Sequence, residues 1–201
     1  VSSTRAARAD PRSGVASGET CVGYSYQVIK TTDGGSTYTV QMQAANGVAA
    51  FTFYDIDCMD AEHCVMVGGN QVSSVVYMTS NGGQTWSEVY TVDANANGTV
   101  AFSAVAYVNA SDIWIGGEFG EANSQTAIGV FYYSRDGGRT WFEYSNLQYA
   151  VAAVMSLTFP SPTVGFAVGI TQEQSSSLLK YAPQPYYGYF AQKQCLTSGC
   201  D

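Results

Sequence analysis

The acids of this chain come in close pairs, and paired carboxylates are what acid–base chemistry on a glycosidic bond requires. Asp55 and Asp57 stand two residues apart in the apolar run FYDIDC; Asp60 and Glu62 lie in the polar stretch MDAEH; Glu118 and Glu121 flank a glycine-rich segment. Hydrolysis of a glycoside needs two carboxyl groups about 5 to 10 Å apart, one of them an acid and the other a base or nucleophile. On an extended strand, residues i and i+2 point to one face. Asp55 and Asp57 are therefore the pair whose geometry merits attention. The other two pairs read as acids of a polar turn and a loop, and simple solvation is the competing account of all three. His63 is the chain's single histidine. It lies between Cys58 and Cys64, with no serine or cysteine nucleophile and acid partner in register. Phosphate loops, dinucleotide fingerprints and paired metal-ligand motifs are lacking, so no cofactor is expected.

Five cysteines carry a second kind of chemistry. Cys58 and Cys64 flank a short turn between two apolar runs, which suits a local hairpin disulfide. Cys195 and Cys200 flank Leu196-Thr197-Ser198-Gly199 and suit another. Cys21 is left over, to pair with a different chain or to staple the start of the fold to Cys195 or Cys200. A zinc site would need about four nitrogen or sulfur ligands, and His63 stands alone beside scattered thiols. Disulfides are the better reading, and they imply an oxidising compartment. Two sequons, Asn97-Gly98-Thr99 and Asn109-Ala110-Ser111, would accept N-glycans in a eukaryotic secretory protein. Both fall at polar loop positions.

The elements that position these groups announce themselves by repetition. Ser134-Arg135-Asp136-Gly137-Gly138-Arg139-Thr140-Trp141 has a second copy in Thr79-Ser80-Asn81-Gly82-Gly83-Gln84-Thr85-Trp86. A third copy is Thr31-Thr32-Asp33-Gly34-Gly35-Ser36-Thr37-Tyr38, and the copies are about 50 residues apart. Each sits between two apolar or aromatic runs, and Asp-Gly or Asn-Gly in that setting is a strong hairpin signal. Asp and Asn bond their own downstream amides, and the closing Trp86, Trp141 or Tyr38 can pack over the turn. A catalytic or metal-binding role for Asp33 and Asp136 competes with this turn-forming one. Asn81 at the equivalent place favours the turn, since an amide cannot replace a catalytic carboxylate.

Upstream of the octets a longer pattern recurs: an apolar strand, a polar turn, and a second apolar strand ending in glycine. It reads FYDIDCMDAEHCVMVGG from Phe53, FSAVAYVNASDIWIGG from Phe102 and MSLTFPSPTVGFAVG from Met155. Period-two alternation with turn residues between predicts β-strands and no amphipathic helix. In the last unit the octet is missing, and Ala182-Pro183-Gln184-Pro185 stands in its place, which predicts a loop or an edge. Residues 1–18 read as a flexible arm, 19–201 as one domain, and 181–201 as a Tyr/Pro-rich tail. Starting at Val1 without an initiator Met, the chain reads as a processed form or a fragment.

Composition narrows the partners. Net charge is −8 with only 12% charged residues, and three of the five arginines (Arg5, Arg8, Arg12) belong to the arm. The acidic body argues against nucleic acid or an anionic membrane, and no apolar run is long enough to span a bilayer. Tyr181, Tyr186, Tyr187, Tyr189 and Phe190 crowd the tail beside two prolines. They read equally as a protein or sugar interface and as a last strand burying alternate aromatics.

The octets with Asp33, Gly35 and Thr37, with Asn81, Gly83, Thr85 and Trp86, and with Asp136, Gly138, Thr140 and Trp141 resemble the Asp-box of β-propellers. That resemblance implies an all-β propeller of about four blades, complete in this chain or part of a larger ring, with the boxes structural. The sialidases of that superfamily hold their substrate with three arginines. Outside the arm only Arg135 and Arg139 are available, both inside a box, so sialidase activity is not expected. Ile56-Asp57-Cys58, Cys64-Val65-Met66-Val67-Gly68 and the octet that follows are similar to the repeat of photosystem II assembly-factor propellers, which bind without catalysis. The expectation is a non-enzymatic, secreted structural or interaction propeller with a protein partner or self-association. A carbohydrate-binding or glycoside-cleaving propeller and a lumenal assembly factor are the alternatives.

Overall fold

A computed structural model describes residues 27–43, 51–122, 126–144, 151–173, 175–183 and 188–192, and all regular structure among them is β-strand. A leading hairpin pairs β1 (Gln27–Lys30) with β2 (Thr39–Gln43). Three four-stranded antiparallel sheets follow, each in simple sequence order. The first contains β3 (Thr52–Cys58), β4 (Cys64–Gly69), β5 (Ser73–Thr79) and β6 (Ser87–Asp93). The second contains β7 (Gly98–Tyr107), β8 (Ile113–Glu121), β9 (Ala127–Ser134) and β10 (Phe142–Tyr144). The third contains β11 (Ala153–Ser161), β12 (Val164–Ile170), β13 (Ser176–Pro183) and β14 (Gly188–Gln192). Each octet forms the turn between the last two strands of its unit, so the leading hairpin corresponds to β5–β6 and β9–β10.

The recurrent glycine has a steric origin. The first strand of every four-stranded sheet carries a bulge at the same register, with Tyr54, Ser103 or Met155 as the extra residue. Immediately before it, Phe53, Phe102 and Val154 face Gly68, Gly117 and Gly169. A Cβ on any of those glycines would run into the carbonyl oxygen of Thr52, Ala101 or Ala153. The bulge brings the backbones too close for a side chain.

Period-two alternation then sends side chains to the two faces of each sheet. Between the first and second sheets, Val65, Val67 and Val76 pack with Phe102, Val105, Ile115 and Tyr132. Between the second and third, Ala104, Ala106, Trp114 and Phe131 pack with Val154, Leu157, Ala167 and Leu179. Each large apolar side chain so buried contributes about 1.5–3 kcal/mol before entropic costs.

One expectation needs correction here, and one open reading is narrowed. Ala182 and Pro183 are not in a loop: β13 runs through Pro183, which pairs in register with Gly188 of β14, while Gln184 and Pro185 lie outside the described residues. The proline takes the last pair of that ladder, where a missing donor disturbs least. The third sheet therefore has four strands without an octet. Of the two readings left open for the tail, Tyr181 takes that of a strand residue with a buried ring. It is 8% exposed and packs its ring edge against Trp114 and Phe159. The strand period overrode the composition of the tail. Tyr186 and Tyr187 lie outside the described residues, and Tyr189 and Phe190 belong to β14.

Candidate functional site

The box hairpins are built by one polar scheme. In the first, the Thr37 amide and hydroxyl donate to the two carboxylate oxygens of Asp33 at 2.9 and 2.7 Å. Thr31 Oγ1 donates to Asp33 at 2.9 Å and accepts from the Gly35 amide at 2.8 Å. Asp136 repeats this with Thr140 at 2.8 and 2.6 Å, while Ser134 Oγ accepts from Gly138 at 2.8 Å. Asn81 keeps the geometry and reverses one bond: its Oδ1 accepts from the Thr85 amide at 3.0 Å, while its Nδ2 donates to Thr85 Oγ1 at 2.8 Å. A threonine hydroxyl both donates and accepts, so acid and amide are interchangeable here. In each box both glycines have positive φ, 74° and 96° at Gly34 and Gly35, a region in which side chains are strained. Gly82 and Gly137 donate to the carbonyls of Glu62 and Ser111 at 2.9 Å, docking the box on the turn between the first two strands of its own sheet. Trp141 Nε1 closes its hairpin on the Gly138 carbonyl at 3.0 Å.

These bonds favour the charged carboxylate. The threonine hydroxyl foremost, then the threonine amide, holds Asp33 and Asp136 down to about 2. Carboxylates so engaged on both oxygens are weak bases. The scheme is that of a turn lock.

Asp55 and Asp57 do share a face, but what they meet there is protein. Asp55 Oδ2 accepts from the Val105 amide at 2.9 Å and Asp57 Oδ2 from the Tyr107 amide at 2.7 Å. Both amides belong to β7, the first strand of the neighbouring sheet. The carboxylates therefore staple one sheet to the next, and the solvated account of this pair is set aside. They border a cleft of about 250 Å³ between the first strands, with Tyr107, Ser156, Thr158 and Phe159 on its other walls. Burial foremost, then the charges of Asp57 and Asp60, pushes the Tyr107 phenol up to about 12. The phenol is neutral and protonated at ordinary pH.

Asp60 is a turn former: its Oδ1 accepts the amides of Glu62 and His63 at 2.8 and 2.7 Å. Those two amides, then the His63 ring, hold its carboxyl below the ordinary value. His63 Nδ1 lies 2.9 Å from the same oxygen. Cys58 and Cys64, directly opposite in the ladder, are joined by a disulfide. Cys21, Cys195 and Cys200 lie outside the described residues. Asn97 is exposed, whereas the Asn109 side chain is drawn into its turn. There it accepts the Ser111 and Asp112 amides at 2.8 and 3.0 Å and donates to Asp112 Oδ2 at 2.9 Å. One of the two hydrogens on the nitrogen that a glycan would use is thus engaged. Arg135 lies over the Tyr133 ring at 5.2 Å and 3.9 Å from Asp112. Arg139 is exposed on the same hairpin.

Sequence reasoning missed two serines that join sheets. Buried Ser74 Oγ donates to the Val100 carbonyl at 2.7 Å and accepts from the Phe102 amide at 3.2 Å. Ser103, the bulge residue of β7, donates to the Val154 carbonyl. Only the repeat alignment, which places Ser103 with Tyr54 and Met155, hints at anything special.

Successive antiparallel four-stranded sheets, stacked face on face with their first strands adjacent, define a β-propeller. The chain belongs to the DUF6242 β-propeller domain family, whose model matches residues 17–175. No curated protein sequence matches it. Among solved structures it is similar to an α-L-arabinanase of Penicillium chrysogenum complexed with arabinobiose, at TM-score 0.51 and 13% identity. That match covers 84% of this chain and 58% of the arabinanase, so the chain spans less than two thirds of that enzyme. YCF48 bound to D1 peptide matches at 14% identity and TM-score 0.29, covering 79% of this chain and 73% of that one. YCF48 from Cyanidioschyzon merolae matches at 15% identity and TM-score 0.28, covering 79% and 74%. At such identities the arabinanase likeness speaks for the fold alone.

Proposed function

We propose that this chain is a non-enzymatic, extracellular interaction propeller that assembles with a second copy of itself through the open face of its third sheet. The observation that carries the reading is a positional equivalence. Register places Asp55, Val67 and Val76 in one cross-strand row and Asp57, Val65 and Met78 in the next. The matching rows of the second sheet are Ala104, Gly116 and Phe131, then Ala106, Trp114 and Tyr133. In both sheets these rows point at the following sheet. The third sheet's rows are Ser156, Val168 and Leu178, then Thr158, Phe166 and Lys180. Val168 is 45% exposed, Leu178 49% and the bulge residue Met155 53%. A contiguous bare apolar face of this kind marks an interaction site. The disulfide and the exposed Asn97 sequon support a secreted protein. Native mass spectrometry of the purified chain tests the reading. A dimer or larger ring that Leu178→Asp dissolves supports it; a monomer with or without that change overturns it.

The cleft beside Asp55 and Asp57 favours a second reading, a carbohydrate-binding or glycoside-cleaving propeller, in line with the arabinanase likeness. Arabino-oligosaccharide hydrolysis abolished by Asp57→Asn would establish it. Hydrolysis that is absent, or unchanged by the substitution, removes it.

A further inference from the structure

A second cleft, of about 450 Å³, opens between the last strand of the first sheet and the second sheet, all four strands of which contribute to its lining. Val92, Val100, Val130 and Phe119 contribute apolar surface, while Tyr90, Tyr132, Glu143 and the amides of Asn95 and Asn97 supply polar atoms. The walls are held by packing elsewhere. Tyr90 lies 6.0 Å from the Trp141 ring, 6.4 Å from Phe102 and 6.2 Å from Tyr132. The Tyr132 hydroxyl points at Glu143 Oε2, 3.5 Å away. Burial foremost, with the Glu143 charge behind it, raises both phenols above their ordinary value, so each presents a neutral oxygen.

The charge balance is one-sided. Among the described residues Glu143 is the only formally charged one lining the cleft, and it enters neither of the ion pairs found among them. The whole chain carries −8, which raises the local concentration of cationic partners. A ligand that matches must have an aliphatic body for the apolar floor and a cationic tip for the carboxylate and the phenol oxygens. Lysine has that form: a long apolar stem that buries readily and a compact ammonium with three donors.

We propose that this cleft receives a lysine side chain of a protein partner, with the stem over Phe119, Val100 and Val130 and the ammonium on Glu143. The proposal rests on the interaction-propeller reading but uses a different surface from the third-sheet face. The two therefore fail separately. An ion pair fixed by a hydrogen-bonded carboxylate at the rim of an apolar site gives specificity to a contact whose affinity comes largely from the stem.

The test is titration of the full chain with acetyl-Gly-Lys-Gly-amide, followed by NMR or calorimetry. The comparison peptide carries norleucine in place of lysine. Saturable binding that shifts residues around Phe119 is expected, weakened roughly tenfold by Glu143→Gln and unchanged by Glu62→Gln at an exposed acid of the β3–β4 turn, outside the cleft lining. Glu143→Gln keeps an oxygen for the Tyr132 hydroxyl, so the cleft stays intact. Equal affinity for the norleucine peptide, equal weakening by both substitutions, or a saturable response only to a neutral disaccharide would each overturn the assignment. Leu178→Asp, which tests the third-sheet face, should leave this titration unaltered.

Discussion

The two sheet–sheet interfaces solve one geometric problem with opposite chemistry. Between the first and second sheets, Asp55 and Asp57 reach across and take the amides of Val105 and Tyr107. Between the second and third, the same two strand positions hold Ala104 and Ala106, and the contact is aromatic. There Trp114 meets Phe131, Tyr133, Tyr144, Phe159 and Tyr181 at centroid distances of 5.3–6.5 Å. Alanine leaves room for the indole to fill, while aspartate fills the room and bonds to what lies behind it. The bulged strand and its glycine set the approach; the residues on the rows decide only how the approach is stabilised.

Breaking the aromatic side should cost most. Trp114→Ala is expected to destabilise by about 3–5 kcal/mol in urea unfolding, the range for a large buried ring replaced by a cavity. A loss under about 1 kcal/mol would show that the interface collapses to fill the gap. On the polar side, Asp57→Ala leaves the Tyr107 amide unpartnered, at an expected cost of about 1–3 kcal/mol. Asp57→Asn retains an acceptor and should cost less; the order of the two in one unfolding series sharpens the comparison. The third set of rows is the control. Leu178→Asp should change the stability of the isolated chain by no more than about 0.5 kcal/mol, since the site is exposed, while abolishing self-association in native mass spectra.

The smallest effect concerns the boxes and acid. Asp33 and Asp136 sit at about 2 in the folded chain against 3.8 for the free group. A lowered folded value means that the unfolded chain binds protons first as pH drops. Their contribution is therefore complete above roughly pH 4 and fades as pH falls through about 2. Asn81 has no such dependence. Asp136→Asn should leave neutral stability close to the parent and flatten the acid limb of a pH-melting curve. An unaltered acid limb would show that other carboxylates govern it.

Much of this was legible from residue order. The hairpins were, because Asp-Gly-Gly and Asn-Gly-Gly restrict the backbone over a few residues and need nothing from afar. The Cys58–Cys64 pairing was, because both ends of a short turn are close by construction of the ladder. The shared face of Asp55 and Asp57 follows from strand period, but their partners do not, since β7 lies 50 positions along and arrives by stacking. The same limit hid Tyr181: its neighbours are Trp114 and Phe159, and tail composition suggested a surface. Ser74 and Ser103 were invisible because a serine near a strand end or at a bulge carries no mark of what it will bond.

The disulfide closes a loop of only six positions, and that brevity restricts its worth. Opening it returns little freedom to the unfolded chain, roughly 2 kcal/mol on the loop-entropy estimate. The strands on either side remain tied by the ladder and by the Gly82 amide on Glu62. A reductant should lower the melting temperature only modestly. The bond then reports the redox conditions in which the protein matured more than it explains why the propeller stays folded.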